Sequence, residues 1–125
     1  MTFQEGLVRF MYRIVTKKPL NANVTLFEIE APLVAKKAEP GQFIILRVDE
    51  EGERIPLTIC DYDREKNTVT IVFQAVGAGT ELMSHMKEGD SFHDFVGPLG
   101  CASELINEDI EELKKKKILF VAGGV

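Results

Sequence analysis

The chain has 125 residues, the length of one domain. It is 45% hydrophobic and 28% charged, enough to fill a core and cover it, which excludes a disordered tail or a fibre. Its net charge of −5, without a basic stripe, argues against a nucleic-acid partner, and apolar runs such as Phe43–Leu46 and Ile118–Ala122 are far too short for a membrane span.

Met1–Phe10 carries Gln4, Glu5 and Arg9 without an apolar stretch, so it does not read as a secretory signal. Six segments rich in β-branched and aromatic residues follow: Tyr12–Thr16, Val24–Glu30, Phe43–Val48, Pro56–Asp61, Thr68–Val76 and Ser91–Val96. Turn residues separate them at Pro19–Asn21, Ala38–Gly41, Glu50–Glu53, Asp63–Asn67 and Lys87–Asp90. This rhythm predicts a mainly β fold, a six-stranded antiparallel barrel or sandwich. Leu82, Met83 and Met86 have helical spacing, which predicts one short helix over Thr80–Met86, capped by Thr80 or Gly79.

After Gly100 the pattern changes. Early acids and late lysines over Ser103–Lys116 suit a solvated helix and its dipole. Ile118–Val121 is all apolar, like a parallel strand buried on both faces, and it runs into Gly123 and Gly124. A strand entering glycines is how a dinucleotide-binding unit opens, which predicts the front half of a longer protein. The divisions expected are a leader at 1–10, a β-barrel domain at 11–100, and at 101–125 a linker helix with the first strand of a truncated α/β nucleotide-binding domain.

Little points to metal or thiol chemistry. Cys60 and Cys101 have no ligand spacing and make no disulfide framework, so a reducing, cytoplasmic setting is expected. His85 and His93 are too few for a metal centre. Two segments carry a stronger signal. In Glu53–Ile59, Arg54 offers a fork of donors for phosphate, Pro56 suits an edge position, and Thr58 adds a hydroxyl. An ordinary edge strand with a solvent-facing Arg54 explains the same letters. In Phe73–Thr80, glycines let the backbone approach a phosphate while a helix start and the Thr80 hydroxyl supply donors. A plain turn with a helix cap explains these too. Phe95–Gly100 reads as a tight turn closing the barrel.

Taken in order, R-I-P-L-T at Arg54–Thr58, then Gln74–Thr80, Gly97–Gly100 and the apolar strand into Gly123–Gly124 resemble the flavin domain of the ferredoxin–NADP⁺ reductase superfamily. More narrowly, the chain resembles the electron-transfer subunits of dihydroorotate dehydrogenase and the alpha subunit of NADH-dependent ferredoxin:NADP⁺ oxidoreductase, also known from sulfide dehydrogenase. The resemblance, running from about Met11 to Val125, implies a Greek-key barrel that binds FAD. It puts the Thr58 hydroxyl beside the flavin N5 and Leu57 over the isoalloxazine. Pro56, Phe73, Gln74 and Val76 would lie on the strands beside the cofactor, and Gly77, Gly79 and Thr80 in the pyrophosphate loop.

Arg54 is the candidate phosphate arginine, four residues before Thr58 where the superfamily has three. That offset leaves two arrangements: a side chain on the other face, or one returned by a bulge at Ile55-Pro56. Gly123 and Gly124 would begin the NAD(P)H loop. Hydride would pass from NAD(P)H to the flavin, and electrons onward to a ferredoxin-like carrier or a partner catalytic subunit. No general acid or nucleophile from this chain is needed. A 2Fe–2S cluster is expected only in a C-terminal part beyond this chain, the chain alone is expected to be inactive, and a homodimer could form through the terminal strand. The alternative is a non-enzymatic β-barrel binding or adaptor module, such as a translation-factor-like barrel.

Overall fold

A computed structural model of the chain describes residues 12–103 and residue 111. The expected leader at 1–10, the strand Ile118–Val121, the pair Gly123 and Gly124, and all but Ser103 and Glu111 of the expected helix lie outside the described residues. In chain order the elements are β1 (Arg13–Pro19), β2 (Val24–Glu30), α1 (Pro32–Lys37), β3 (Phe43–Arg47), β4 (Ile55–Thr58), β5 (Asp61–Asp63), β6 (Thr68–Gln74), α2 (Ala78–Ser84) and β7 (Asp94–Leu99). They form two antiparallel sheets, ordered β1-β2-β6-β5 and β4-β3-β7. The mainly β, antiparallel fold expected from the sequence is what the chain adopts.

Hydrogen bonds join the two sheets along two seams. At one, Ile14 N–H donates to Asp90 O (2.8 Å) and Phe92 N–H to Tyr12 O (3.1 Å), around an Arg13–Ser91 bridge. At the other, the chain itself changes sheet. Ile59 N–H donates to Gln42 O (3.0 Å) beside β3, and Cys60 N–H donates to Thr70 O (2.9 Å) on β6. The single strand expected over Pro56–Asp61 is therefore divided into β4 and β5 at a corner between sheets. The bent segment β4/β5 thus links the smaller sheet to the larger one, and the Arg13–Ser91 bridge ties β1 to the chain just ahead of β7.

Alternation fills the interior. Phe27 and Ile29 of β2, Ile44 and Leu46 of β3, and Val69 and Ile71 of β6 are fully buried. Rings join the two sheets: Phe27 lies 5.0 Å from Phe73 and 6.2 Å from Phe92, and Phe92 lies 6.3 Å from Phe95. Local turn chemistry sets the hairpins. Asn21 Oδ1 accepts from the N–H groups of Asn23 and Val24, and Asp63 Oδ1 from those of Glu65 and Lys66, with Asn67 taking φ of 60°.

Two local expectations need correction. The sequence pattern left residues 31–37 without an element, yet α1 forms there, with Pro32 at its first turn and Val34 and Ala35 buried. Phe95–Gly100 is not a tight turn. Most of it belongs to β7, an edge strand whose register to β3 shifts between Phe43 and Ile45. A Cβ on Gly97 would come within 2.7 Å of Ile44 Cγ2, so this irregular stretch needs glycine for close backbone approach.

Candidate cofactor-binding face

β4 is the edge strand of the smaller sheet, and its register to β3 is continuous: Leu46↔Ile55, Ile45↔Pro56, Ile44↔Leu57, Phe43↔Thr58. Ile55 faces the core, and Leu57 is half-buried against it. Arg54, Pro56 and Thr58 are all exposed on the outward line. There is no bulge at Ile55-Pro56. Arg54 stands one residue before β4, and an even offset along an extended chain returns to the same face, so the four-residue spacing needs no bulge to turn Arg54 and Thr58 the same way. Leu57 turns the other way, but its edge still helps to line a recess of about 330 Å³ with Gly41, Phe43, Pro56 and Thr58. Among the described residues nothing hydrogen-bonds the Thr58 hydroxyl; only its backbone carbonyl is engaged, by Cys60 Sγ at 3.8 Å.

The glycine loop sits at the other end of β4. Gly79 N–H donates to Glu53 Oε1 (3.1 Å), and a Cβ there would collide with that carboxylate and approach Ile55 Cδ1 to 2.9 Å. This contact brings together two motifs that are some 25 residues apart in sequence. Around it a second recess of about 410 Å³ is lined by Asp49, Glu51, Gly52, Glu53, Ala78, Gly79 and Leu82.

The helix cap is Gly77, not Thr80 or Gly79. Thr80, expected to offer its hydroxyl to a phosphate, uses it to fold the loop: Oγ1 accepts from Val76 and Gly77 N–H (both 3.0 Å) and donates to Gly77 O (3.1 Å). Gly77 faces open space and Val76 is 74% exposed. Phe73 turns into the core at 3% exposure, so its ring supports the wall, while Gln74 is half-buried beside it. The far end of α2 is pinned by Lys17, whose Nζ donates to Ser84 O and Met86 O, both at 2.8 Å.

Three residues that the sequence did not single out complete the face. Phe43 lies opposite Thr58 in the register. Arg47 pairs with Asp94 (2.6 Å), and Asp94 also lies 3.9 Å from Arg54. Cross-strand register brings these residues to Arg54 and Thr58, and no local motif announces it. Cys60 and Cys101 are free and exposed, and no cluster of three or more His, Cys, Asp or Glu residues suited to a metal occurs among the described residues. Nor is any helix among them long and apolar enough to cross a membrane.

No protein-family model matches the chain. Individual proteins do. The chain is 66% identical over 115 residues to an uncharacterized protein of Clostridium beijerinckii, covering 92% of this chain and 39% of that protein. It is 43% identical over 112 residues to a dihydroorotate dehydrogenase B (NAD(+)) electron transfer subunit homolog of Thermotoga maritima, covering 90% of this chain and 37% of that one. A solved structure of an NADH-dependent reduced ferredoxin–NADP oxidoreductase superposes with a TM-score of 0.74 at 45% identity, covering 75% of this chain and 34% of its own. The fold is thus that of the ferredoxin–NADP⁺ reductase-like flavoproteins. Within that class the chain is a homologue of the dihydroorotate dehydrogenase electron-transfer subunits. It spans 39% and 37% of the two curated relatives' lengths.

Proposed function

We propose that this chain is the flavin-holding module of an oxidoreductase that carries electrons between NAD(P)H and a partner catalytic subunit or a ferredoxin-like carrier. The observation that carries this is the outward line of β4, with Thr58, Pro56 and Arg54 exposed on one face and the Gly77–Thr80 loop touching its start. Four residues of extended strand span about 13 Å, so Arg54 and Thr58 mark the ends of an elongated face.

The residues fit FAD. Phe43, Pro56 and the Leu57 edge offer an apolar floor for a flat ring, and the Thr58 hydroxyl is available to a ring nitrogen. At the other end, Arg54 supplies a guanidinium, and Gly79 would supply a backbone amide once the Glu53 carboxylate that now accepts from it gives way to a phosphate. Gly77, Val76 and Gln74 would flank the chain of the cofactor, and Phe73 would act through the wall it supports. A bound flavin supplies two-electron acceptance and one-electron release. The protein's part is to orient the ring, exclude water from one face and hold a hydroxyl at its edge.

The relatives' names support NAD and a partner subunit, and the share of their length outside this chain is where we place the nucleotide site and any 2Fe–2S cluster. A flavin-holding module of this kind would not turn over NADH by itself. A reducing, cytoplasmic setting suits two exposed free thiols. Reconstitution tests the proposal: after incubation with FAD and desalting, the chain should retain flavin absorbance, and mass spectrometry of the released compound should give FAD. A colourless protein would favour the adaptor alternative.

A further inference from the structure

The outer face of the smaller sheet carries an ionic row that no motif announces. Arg47 and Asp94 are register partners on β3 and β7, and Arg54 precedes β4 beside Arg47. Asp94 Oδ2 stands 2.6 Å from Arg47 and 3.9 Å from Arg54. The carboxylate is therefore held by Arg47, while Arg54 only borders it. Burial follows the same order: the Arg47 side chain is 21% exposed and that of Arg54 is 62%. Arg47 is fixed again by Nη1 donating to Glu50 O (3.2 Å). Its Nε is buried without a partner among the described residues, so its terminal nitrogens carry its polar contacts. Arg54 has no hydrogen bond among the described residues, and the neighbouring Glu53 carboxylate is turned to Gly79 N–H.

We propose that Arg47 is a positioning residue that keeps Arg54 free for the flavin's phosphate, by occupying the Asp94 carboxylate that would otherwise capture it. Two guanidiniums share one aspartate, so the row keeps one positive charge in excess, and that charge rests on the exposed member. Without Arg47, Asp94 and Arg54 need to close little more than an ångström to form a full charge-assisted pair, which would neutralise the phosphate-binding end. Like charges on adjacent strands are unfavourable alone, which is why the row needs Asp94 as well. This rests on the flavin proposal above.

The test is fluorescence titration of the full chain with FAD, FMN and lumiflavin, the last having the ring without phosphate. Arg47→Met should weaken FAD and FMN binding roughly tenfold and leave lumiflavin unchanged. Adding Asp94→Asn to Arg47→Met should restore FAD binding, since Arg54 is released again. Should Arg47→Met alone fail to fold, Asp94→Asn alone decides: it should raise the preference for FAD over lumiflavin about threefold. Equal weakening of all three flavins, no restoration in the double variant, or an unchanged preference in Asp94→Asn would overturn the inference while lumiflavin binding left the flavin proposal standing. A wild-type chain that binds none of the three overturns both.

Discussion

Thr58 and Gly79 mark the two ends of the proposed cofactor path, and each is open to a single-residue test. The Thr58 hydroxyl has no partner among the described residues, so Thr58→Ala removes nothing from the fold. It should leave thermal stability within about 0.5 kcal/mol of wild type, as surface substitutions do. Flavin affinity or reduction potential should change by the equivalent of about 0.5–1.5 kcal/mol. An unchanged spectrum and potential would place the flavin elsewhere. Gly79 is confined differently: a side chain there meets Glu53 and Ile55, which would part the loop from β4. Gly79→Val should therefore weaken FAD binding by about tenfold or more; unchanged affinity in a titration would separate the loop from the site. Thr80 shows the limit of motif logic at this scale. Its type and position point to a phosphate donor, while in the folded chain its hydroxyl donates to Gly77 O, a bond visible only once the loop has closed.

At the scale of elements, the alternating strands were legible because β2, β3 and β6 bury every second side chain, a pattern that period-two hydrophobicity exposes directly. Where a strand bends between sheets, as at Ile59-Cys60, both halves share one composition and the corner is invisible from the letters. α1 is only six residues, too short to show a helical period, and its packing on the barrel stabilises it rather than propensity. β7 was misplaced because Gly97-Pro98 reads as a turn, and pairing on an edge overrides that signal. The same split applies to the site: Arg54, Pro56 and Thr58 stand in one motif, but Phe43, Arg47 and Asp94 reach it through register alone. Phe27 is a fully buried ring at the junction of the sheets, touching Phe73 on its own sheet and Phe92 ahead of β7. Phe27→Ala should cost about 3–5 kcal/mol, read as a lower urea midpoint with little change in slope. A loss under about 1 kcal/mol would mean the sheets are held elsewhere.

For the whole molecule, a ligand that binds the folded barrel alone must stabilise it. FAD at about 100 times its dissociation constant should add about 2.7 kcal/mol and raise the melting temperature by on the order of 10 °C. A melting temperature indifferent to FAD would contradict specific binding. Binding alone would not place the flavin along the outward line of β4, with its ring at Thr58 and its phosphates toward Arg54 and Gly79, as proposed. Amide chemical shifts of the isotope-labelled chain, followed during titration with FAD, test this most directly. Saturable shifts are expected at Phe43, Arg54, Leu57, Thr58 and Gly77–Thr80, with the outer face of β1 and β2 silent. No shifts, or shifts centred on β1 and β2, would contradict it.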